Sequence, residues 1–339
     1  WRIVQYTKAN GQAVVVAGAS VANWTTAIST SSPNGSSPVA SWAATNAATN
    51  VDAAFVAKGN GATLAQVPTA TLAGGDKRGI YATDFQKVRS ASNQVASGQY
   101  SVLVGGEQNA VQGQHAVVAG GYSNSANQQK GFVGAGQSNA AGDHSGVVCG
   151  TGNSAVGGQY GFIGGGGWNV VDEAYGWIPG GDYATTRGRK CVGAWAGGNF
   201  SAVGDAQHAV GVLRRSTSDA TQTELSLDGA SPTWYNRWVL PNNSSYLVRG
   251  QVVARQDSTG DTAMWEFVAC IKRGASAAAT AMVVACTPAS LAADSGAATW
   301  AVAIDADTTN GSLRFRVTGQ AAKSIKWVAD ILSSTEVVG

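Results

Sequence analysis

The stretch GQYSVLVGGEQNAVQGQHAVVAGG, residues 98–121, contains nearly the same pattern twice: Gly-Gln, an aromatic ring, a small residue, a short apolar run and paired glycines. The apolar run recurs downstream at steps of fifteen residues, and its copies are Val102-Leu103, Val117-Val118, Phe132-Val133, Val147-Val148, Phe162-Ile163 and Trp177-Ile178. An asparagine keeps nearly the same rhythm, as Asn93, Asn109, Asn124, Asn139, Asn153 and Asn169. The sequence therefore predicts an array of stacked coils, a β-roll or β-solenoid.

The composition favours strands over helices. The 339 residues include 45 glycines, which destabilise helix interiors, and 44% are hydrophobic, enough for sizeable cores and two or three domains. Short runs rich in Val, Thr and Trp are interrupted by Gly, Asn and Ser, as in proteins with many short strands. The predicted fold class is all-β.

The charge pattern excludes one class of partner. There are 22 Lys and Arg against 20 Asp and Glu, and the basic residues are scattered rather than clustered, so we expect no nucleic-acid partner. Only 12% of residues are charged, so much of the surface must consist of Ser, Thr, Asn, Gln and Gly. Such a surface suits an extracellular or virion protein.

Three regions follow from these patterns. Residues 1–85 form a lead-in and cap that contains a strand candidate, QAVVVAG, and a linker or exposed loop, TSSPNGSSPVASW. Residues 86–210 are the repeat region. Residues 211–339 contain longer alternating runs such as SYLVRGQVVAR and TAMWEFVACIKR, which predict a β-sandwich, jelly-roll-like head.

The four cysteines lack CxxC spacing and lie in apolar runs, so buried free thiols are expected, with a Cys270–Cys286 disulfide as the alternative. The sequence begins with Trp1 rather than Met, so we also expect upstream residues that are not included here.

Neighbouring apolar residues in each coil predict self-association. Phe132 and Val133 are adjacent in one strand, so their side chains point to opposite faces and both faces need burial. The simplest solution is packing of the outward residue against other copies around a symmetry axis, as in a homotrimer. The alternative is a monomeric β-helix with an exposed apolar stripe.

The repeats resemble two families. Their apolar strand, Gly and Asn pattern is similar to the left-handed β-roll heads of trimeric autotransporter adhesins. The segments GATLAQVPTATLAGGDKRGIYATDFQ and AIDADTTNGSLRFRVTGQAAKSIKWVA resemble predicted bacteriophage tail fibres. This resemblance implies a homotrimeric fibre in the virion tail, with a distal head at the host cell surface. It also implies that upstream residues attach to other tail or baseplate proteins.

No catalytic group, metal ligand or cofactor site is predicted. His115 and His144 occupy a repeat position that other coils fill with Tyr, Lys or Gln, which indicates exposed surface, and His208 also lies in or beside a repeat turn. Asp172 and Glu173 fall in a turn-like stretch, and turn chemistry explains the DADTTNG segment better than a calcium loop. The expectation is therefore a protein that is not an enzyme.

The segment SPTWYNRWVLPNNSSY is the candidate receptor site. It combines flat aromatic faces with hydrogen-bonding groups, as stacking on sugar rings requires. The candidate residues are Trp234, Tyr235, Arg237, Trp238, Asn242 and Asn243. The alternative is that Trp238 and Trp234 fill the core or an interface between copies.

The predicted function is attachment of a phage to a host glycan or outer-membrane receptor. The alternatives are a bacterial trimeric adhesin and a tailspike-type polysaccharide depolymerase.

Overall fold

A computed structural model describes residues 57–339 in full and four strands before them. Residues 1–56 and 57–339 are separate units. In the first unit the strands pair antiparallel as β1 with β2 and β3 with β4, with bounds Val4–Thr7, Ala13–Val16, Trp24–Ser29 and Val39–Ala44. Strand β2 confirms the QAVVVAG prediction, and β4 includes the end of TSSPNGSSPVASW. The rest of that predicted loop lies outside the described residues.

The repeats form a β-solenoid of about seven turns, which confirms the stacked-coil prediction. Its strands β5 to β16 are Thr63–Leu64, Thr83–Asp84, Val102–Leu103, Val117–Val118, Ser125–Ala126, Phe132–Val133, Ala140–Ala141, Gly146–Val147, Ser154–Ala155, Phe162–Ile163, Trp177–Ile178 and Val192–Trp195. Strands β9, β11 and β13 make one parallel ladder, and the others make a longer one, called here the main ladder.

The two residues of each main-ladder strand from β7 to β15 have different surroundings. The second residue points into the coil and is fully buried, as in Leu103, Val133 and Ile163. The first residue points outward, and Phe162 is 45% exposed. These outward residues are called the outer stripe: Val102, Val117, Phe132, Gly146, Phe162 and Trp177.

The outer stripe differs from the sequence prediction in one coil. Asn139 and Asn153 are only fourteen residues apart, so this coil is one residue short and its strand is Gly146–Val147 rather than Val147-Val148. Gly146 pairs with Phe132 and Phe162 on either side, while Val148 follows the strand and is exposed. A glycine at this position leaves room for the two phenyl rings.

The repeated asparagines form a buried ladder inside the solenoid. The backbone amide of each asparagine after Asn109 donates to the side-chain oxygen of the asparagine one coil earlier. Each side-chain amide donates to the carbonyl of the residue four positions before it and to a glycine carbonyl of the next coil. The members are Asn109, Asn124, Asn139, Asn153 and Asn169, all at most 1% exposed. Asn93, by contrast, is exposed and outside the ladder. The repeated asparagines therefore form one continuous hydrogen-bond network along the solenoid.

The ladder is closed at its first coil by buried polar side chains. Gln86 accepts the Asn109 amide through Oε1 over 2.8 Å. Asp84, fully buried beside it, pairs with Arg78 at 2.6 Å and with Arg89 at 3.6 Å. Burial is the largest influence on Arg89 and lowers its pKa, although Asp84 opposes that shift. Gln86 thus supplies the acceptor that a preceding asparagine would otherwise provide to the ladder.

The C-terminal part contains longer antiparallel strands. Strands β17 to β26 are Ala206–Thr217, Thr223–Glu224, Trp238–Val239, Ser244–Gln256, Thr262–Arg273, Thr280–Met282, Ala289–Ala293, Ala301–Asp307, Ser312–Thr318 and Ile325–Val338. Single 3-10 turns lie at Ala277–Ala279 and Ser295–Ala297. Strand β17 pairs antiparallel with β16, so the main ladder continues through β17, β26, β20 and β21 as one sheet.

Two antiparallel sheets share the C-terminal core. Trp327 on the large sheet and Phe315 on the smaller sheet are both about 1% exposed and lie in one cluster with the fully buried Trp238. The jelly-roll-like sandwich head stays a prediction. On the opposite side of the large sheet, Val210 pairs with Gly193, which itself pairs with Trp177 of the outer stripe. The outward face of the C-terminal sheet therefore continues the outer stripe.

Two sequence predictions need correction. Cys149 is exposed and the other three cysteines are half-buried, so the thiols are free as predicted but not buried. His208 lies within β17, where it stacks on Trp195 with ring centroids 4.2 Å apart, rather than beside a repeat turn. Among the residues described, no helix has the length and apolar character needed to span a membrane.

Candidate functional site

The segment before β19 is a turn held by a buried side chain. Asn236 is 1% exposed; its Oδ1 accepts from the Thr233 amide over 2.5 Å, and its Nδ2 donates to Asp228 over 2.8 Å and to the Ser231 carbonyl over 3.0 Å. Its backbone carbonyl accepts the Leu227 amide. Because both ends of the turn are fixed, the residues at its tip have a defined position.

Two aromatic rings lie at the tip of this turn. Trp234 is 66% exposed, and its ring meets Tyr235 edge-to-face with centroids 5.5 Å apart. Beneath Trp234 lies Gly188, where an added Cβ would be 3.1 Å from the indole. The indole is thus supported on one side by the last part of the solenoid and open to solvent elsewhere, as a sugar-stacking residue would be.

A lysine from the solenoid joins this aromatic pair. The Lys190 ammonium lies 4.3 Å from the centroid of the Tyr235 ring, and the Lys190 amide donates to the Tyr235 carbonyl over 2.9 Å. The ammonium is also 3.6 Å from Asp228. Desolvation opposes ionisation of Asp228, but hydrogen bonds from Ala230 and Asn236 and the charge of Lys190 lower its pKa. The surface therefore offers a cation–π pair and charged groups of both signs.

Two of the predicted site residues turn inward. Arg237 pairs with Glu224 at 2.9 Å and lies 3.9 Å from Asp307. Trp238 is fully buried in the C-terminal core, with the Arg189 guanidinium 4.3 Å from the centroid of its ring. For Trp238 the structure agrees with the core alternative, so it cannot contact a receptor in this conformation.

Asn242 and Asn243 are exposed but belong to another turn, directly before β20. Asn243 has a positive φ of 56° and donates its amide to the Gly274 carbonyl, while its own carbonyl accepts from Gly339. The structure therefore brings together Trp234 and Tyr235 but does not connect these asparagines to them by any described hydrogen bond.

The carboxylates weighed in the sequence serve local structure. Asp172 accepts hydrogen bonds from Thr185, Thr186 and the Gly188 amide. Asp307 accepts the Thr309 and Asn310 amides in the predicted DADTTNG turn. Within residues 57–339 no three His, Cys, Asp or Glu side chains are grouped as metal ligands.

The sequence matches no protein-family model and no curated protein. Solved structures similar to the chain include the tailspike protein gp49 from Acinetobacter baumannii bacteriophage Fri1, a capsular polysaccharide depolymerase, at 8% identity and a TM-score of 0.23 over 77% of this chain and 48% of that one. The Acinetobacter baumannii phage AM24 tailspike protein is 7% identical, with a TM-score of 0.20 over 74% of this chain and 53% of that one. Both are phage tailspikes. The chain spans about half the length of each.

This comparison overturns one prediction. The chain was expected not to be an enzyme, yet the Fri1 tailspike to which it is similar is a capsular polysaccharide depolymerase, and depolymerases are enzymes. With TM-scores this low, the similarity assigns neither a reaction nor catalytic residues to this chain. The resemblance to trimeric autotransporter heads stays a prediction.

Sequence reasoning missed Lys190 and Asp228 as neighbours of the aromatic pair. Lys190 lies forty-four residues before Trp234 in the chain and outside any motif. Their proximity depends on how the solenoid meets the C-terminal part, for which the local sequence contains no signal.

Proposed function

We propose that this chain is a receptor-binding protein of a bacteriophage tail, and that it attaches to a glycan on the bacterial host surface. The observation that carries the proposal is the exposed Trp234 beside the half-buried Tyr235, on a turn fixed by Asn236 and supported by the solenoid. An aromatic face with hydrogen-bonding and charged groups at its edge suits the alternating apolar and hydroxyl faces of a sugar. We further propose that the C-terminal part is the receptor-binding head.

Self-association belongs to the same proposal. The outer stripe and the outward face of the C-terminal sheet lie on one side of a continuous sheet, where Phe132, Trp177 and Val253 are each more than 40% exposed. Exposed apolar residues in a row of this length are unusual on a monomeric protein, although charged residues such as Arg249, Glu266 and Lys326 lie among them in the C-terminal sheet. Packing against two further copies would cover these apolar residues and place three heads on one fibre, so that weak sites gain avidity from their effective concentration. Other tail or baseplate proteins are the proposed partners of the fibre in the virion.

The test is binding of the purified chain to bacterial cells that bear the receptor. Trp234→Ala should reduce binding by at least about tenfold, the size of effect expected for a central aromatic contact. It should leave the melting temperature unchanged, because the indole is largely exposed. Trp168→Ala is the matched control, since Trp168 is 49% exposed on the solenoid and should not affect binding.

Wild-type binding by the Trp234→Ala variant would reject this site. Chromatography of the surface glycan after incubation tests the depolymerase alternative in the same sample. Shortened chains would assign a cleavage reaction to this protein, in addition to binding.

A further inference from the structure

A row of large side chains runs along one corner of the solenoid, one from each coil. Its members, called here the corner row, are Tyr81, Tyr100, His115, Lys130, His144, Tyr160 and Tyr175. From Tyr100 onward each residue stands two positions before an outer-stripe residue, so the row lies beside that stripe. Its last member, Tyr175, precedes by one coil Lys190, which contacts Tyr235 of the Trp234 turn. Exposure of the tyrosines ranges from 41% for Tyr100 to 54% for Tyr175.

The rings of the corner row stack along the solenoid axis. The centroids of Tyr81 and Tyr100 are 5.1 Å apart, those of Tyr100 and His115 are 4.9 Å apart, and those of Tyr160 and Tyr175 are 5.2 Å apart. Since the ring faces cover one another, their exposed parts are the edges and hydroxyl groups. Lys130 interrupts the stack, and its ammonium lies 3.0 Å from His144 Nε2.

Every member of the corner row has a left-handed backbone, with φ between 55° and 61°. A residue with a β-carbon is less stable in this conformation than glycine, and asparagine tolerates it best. The row nevertheless holds bulky rings and a lysine in seven successive coils. The same conformation recurs at a second turn of the coils, in Gln108, Ser123, Ser138, Trp168 and Tyr183, so it belongs to the coil geometry, which fixes the position of each side chain.

A second polar row runs beside the first. The residue before each of five corner-row members has a side-chain amide or carboxylate, namely Gln99, Gln114, Gln129, Asp143 and Gln159. Gln129 donates to Gln114 over 3.1 Å, and Gln159 donates to Asp143 over 2.6 Å. Each amide still has donor or acceptor capacity for a ligand.

We propose that the corner row binds a linear acidic polysaccharide lying parallel to the solenoid axis. The coil repeat of about 5 Å is comparable to the length of one extended pyranose unit, so successive sugars meet successive coils. Tyrosine hydroxyls and glutamine amides form hydrogen bonds to sugar hydroxyls, and the Lys130 ammonium pairs with an acidic group. Asp143, which lies 2.8 Å from His144, adds a negative charge to the row, so the acidic group of the ligand is expected on the Lys130 side. On the proposed function, the corner row is a second glycan-binding surface in addition to the Trp234 turn.

The experiment uses the full chain and a panel of alginate, polygalacturonate and hyaluronate oligosaccharides, each as a disaccharide and a hexasaccharide. At least one hexasaccharide should bind about tenfold more tightly than its disaccharide, because it contacts more coils. The double variant Tyr100→Phe, Tyr160→Phe keeps the stacked rings and the melting temperature but removes two hydroxyls. Its affinity should fall about tenfold, since each lost hydrogen bond costs several-fold.

Lys130→Gln should also weaken binding of the acidic hexasaccharide about tenfold, while a neutral cello-oligosaccharide should bind equally weakly to this variant and to the wild-type chain. Trp168→Ala, an exposed residue outside both the corner row and the Trp234 turn, is the control and should not alter oligosaccharide binding. The inference is overturned if no panel member binds, if length has no effect, or if the Phe and Gln variants bind like the wild type. Loss of oligosaccharide binding in Trp168→Ala would also overturn it and leave the Trp234 site standing.

Discussion

Asn139 donates its backbone amide to the side-chain oxygen of Asn124 over 2.9 Å, one coil earlier in the solenoid. Its own side-chain oxygen accepts the Asn153 amide over 3.1 Å, and its side-chain amide donates to the Ala135 and Gly150 carbonyls. One buried side chain thus connects three successive coils. The ladder is a structural device whose loss should be measurable.

Asn139→Ala should destabilise the protein by about 2–4 kcal/mol, because buried donors and acceptors in adjacent coils lose their partners. Chemical denaturation would measure the change in the free energy of unfolding. Asn93→Ala is the control, because Asn93 is exposed and outside the ladder, and its effect should stay within about 0.5 kcal/mol. Equal effects of the two substitutions would contradict the ladder's role.

The paired glycines of each corner should differ in their tolerance of a side chain. Gly121 has a φ of 85°, and an added Cβ would lie 2.2 Å from the Gly136 carbonyl oxygen, whereas a Cβ on Gly120 would meet nothing within 4 Å. Gly121→Ala should destabilise the solenoid by about 3 kcal/mol or more, from strain and steric overlap together. Gly120→Ala should be neutral or slightly stabilising. Thermal unfolding of the two variants decides the matter, and similar melting temperatures would contradict the prediction.

The outer stripe should control the oligomeric state. Phe132→Ser together with Phe162→Ser removes the two phenyl rings that flank Gly146, and the variant should have a solution mass near 34.3 kDa. The wild-type chain should have about three times that mass by light scattering. Phe200→Ser is the matched control, because Phe200 is 76% exposed outside the strands and should leave the mass unchanged. A wild-type monomer would refute the self-association proposal.

Acid should weaken the turn between β24 and β25 through Asp307. Desolvation raises the pKa of this carboxyl, but hydrogen bonds from Asn310 and Thr309 outweigh it, so the pKa lies below its usual range. A carboxyl whose pKa is lower in the folded than in the unfolded state stabilises the fold at a pH above its unfolded pKa of about 3.9. That stabilisation is lost as the pH falls through the folded-state pKa. Asp307→Asn should therefore be about 1 kcal/mol less stable than wild type at neutral pH. This gap should shrink below about pH 4 in chemical denaturation, and a gap independent of pH would contradict the assignment.

The fifteen-residue period was sufficient to predict the solenoid because each coil must bury an apolar residue at the same place. It could not predict the strand of the coil between Asn139 and Asn153. That coil is one residue short, so its strand is Gly146–Val147 rather than Val147–Val148, and Val147 rather than Val148 faces inward. The recurrence of the asparagines could be read from the sequence, but their burial could not. An asparagine exposed in a turn and one buried in the ladder would recur at the same spacing.

The candidate site was predictable only in part. Trp234 and Trp238 lie four residues apart in one aromatic segment, yet one is 66% exposed and the other is fully buried. The difference arises because Trp238 begins β19 and faces the core, while Trp234 is at the tip of the preceding turn. Composition cannot distinguish these positions, and the contact of Lys190 with Tyr235 depends on the packing of distant segments.

The way the solenoid ends has a consequence for its length. Buried Gln86 and Asp84 close the asparagine ladder at its start. Antiparallel pairing of β16 with β17 ends the stack of parallel coils at the other side. Neither closure depends on the number of coils between them. Insertion or removal of one complete coil would therefore move the Trp234 turn by about 4.8 Å along the axis and leave both ends intact. The repeat region is an adjustable spacer, and the corner row would gain or lose one contact with each step.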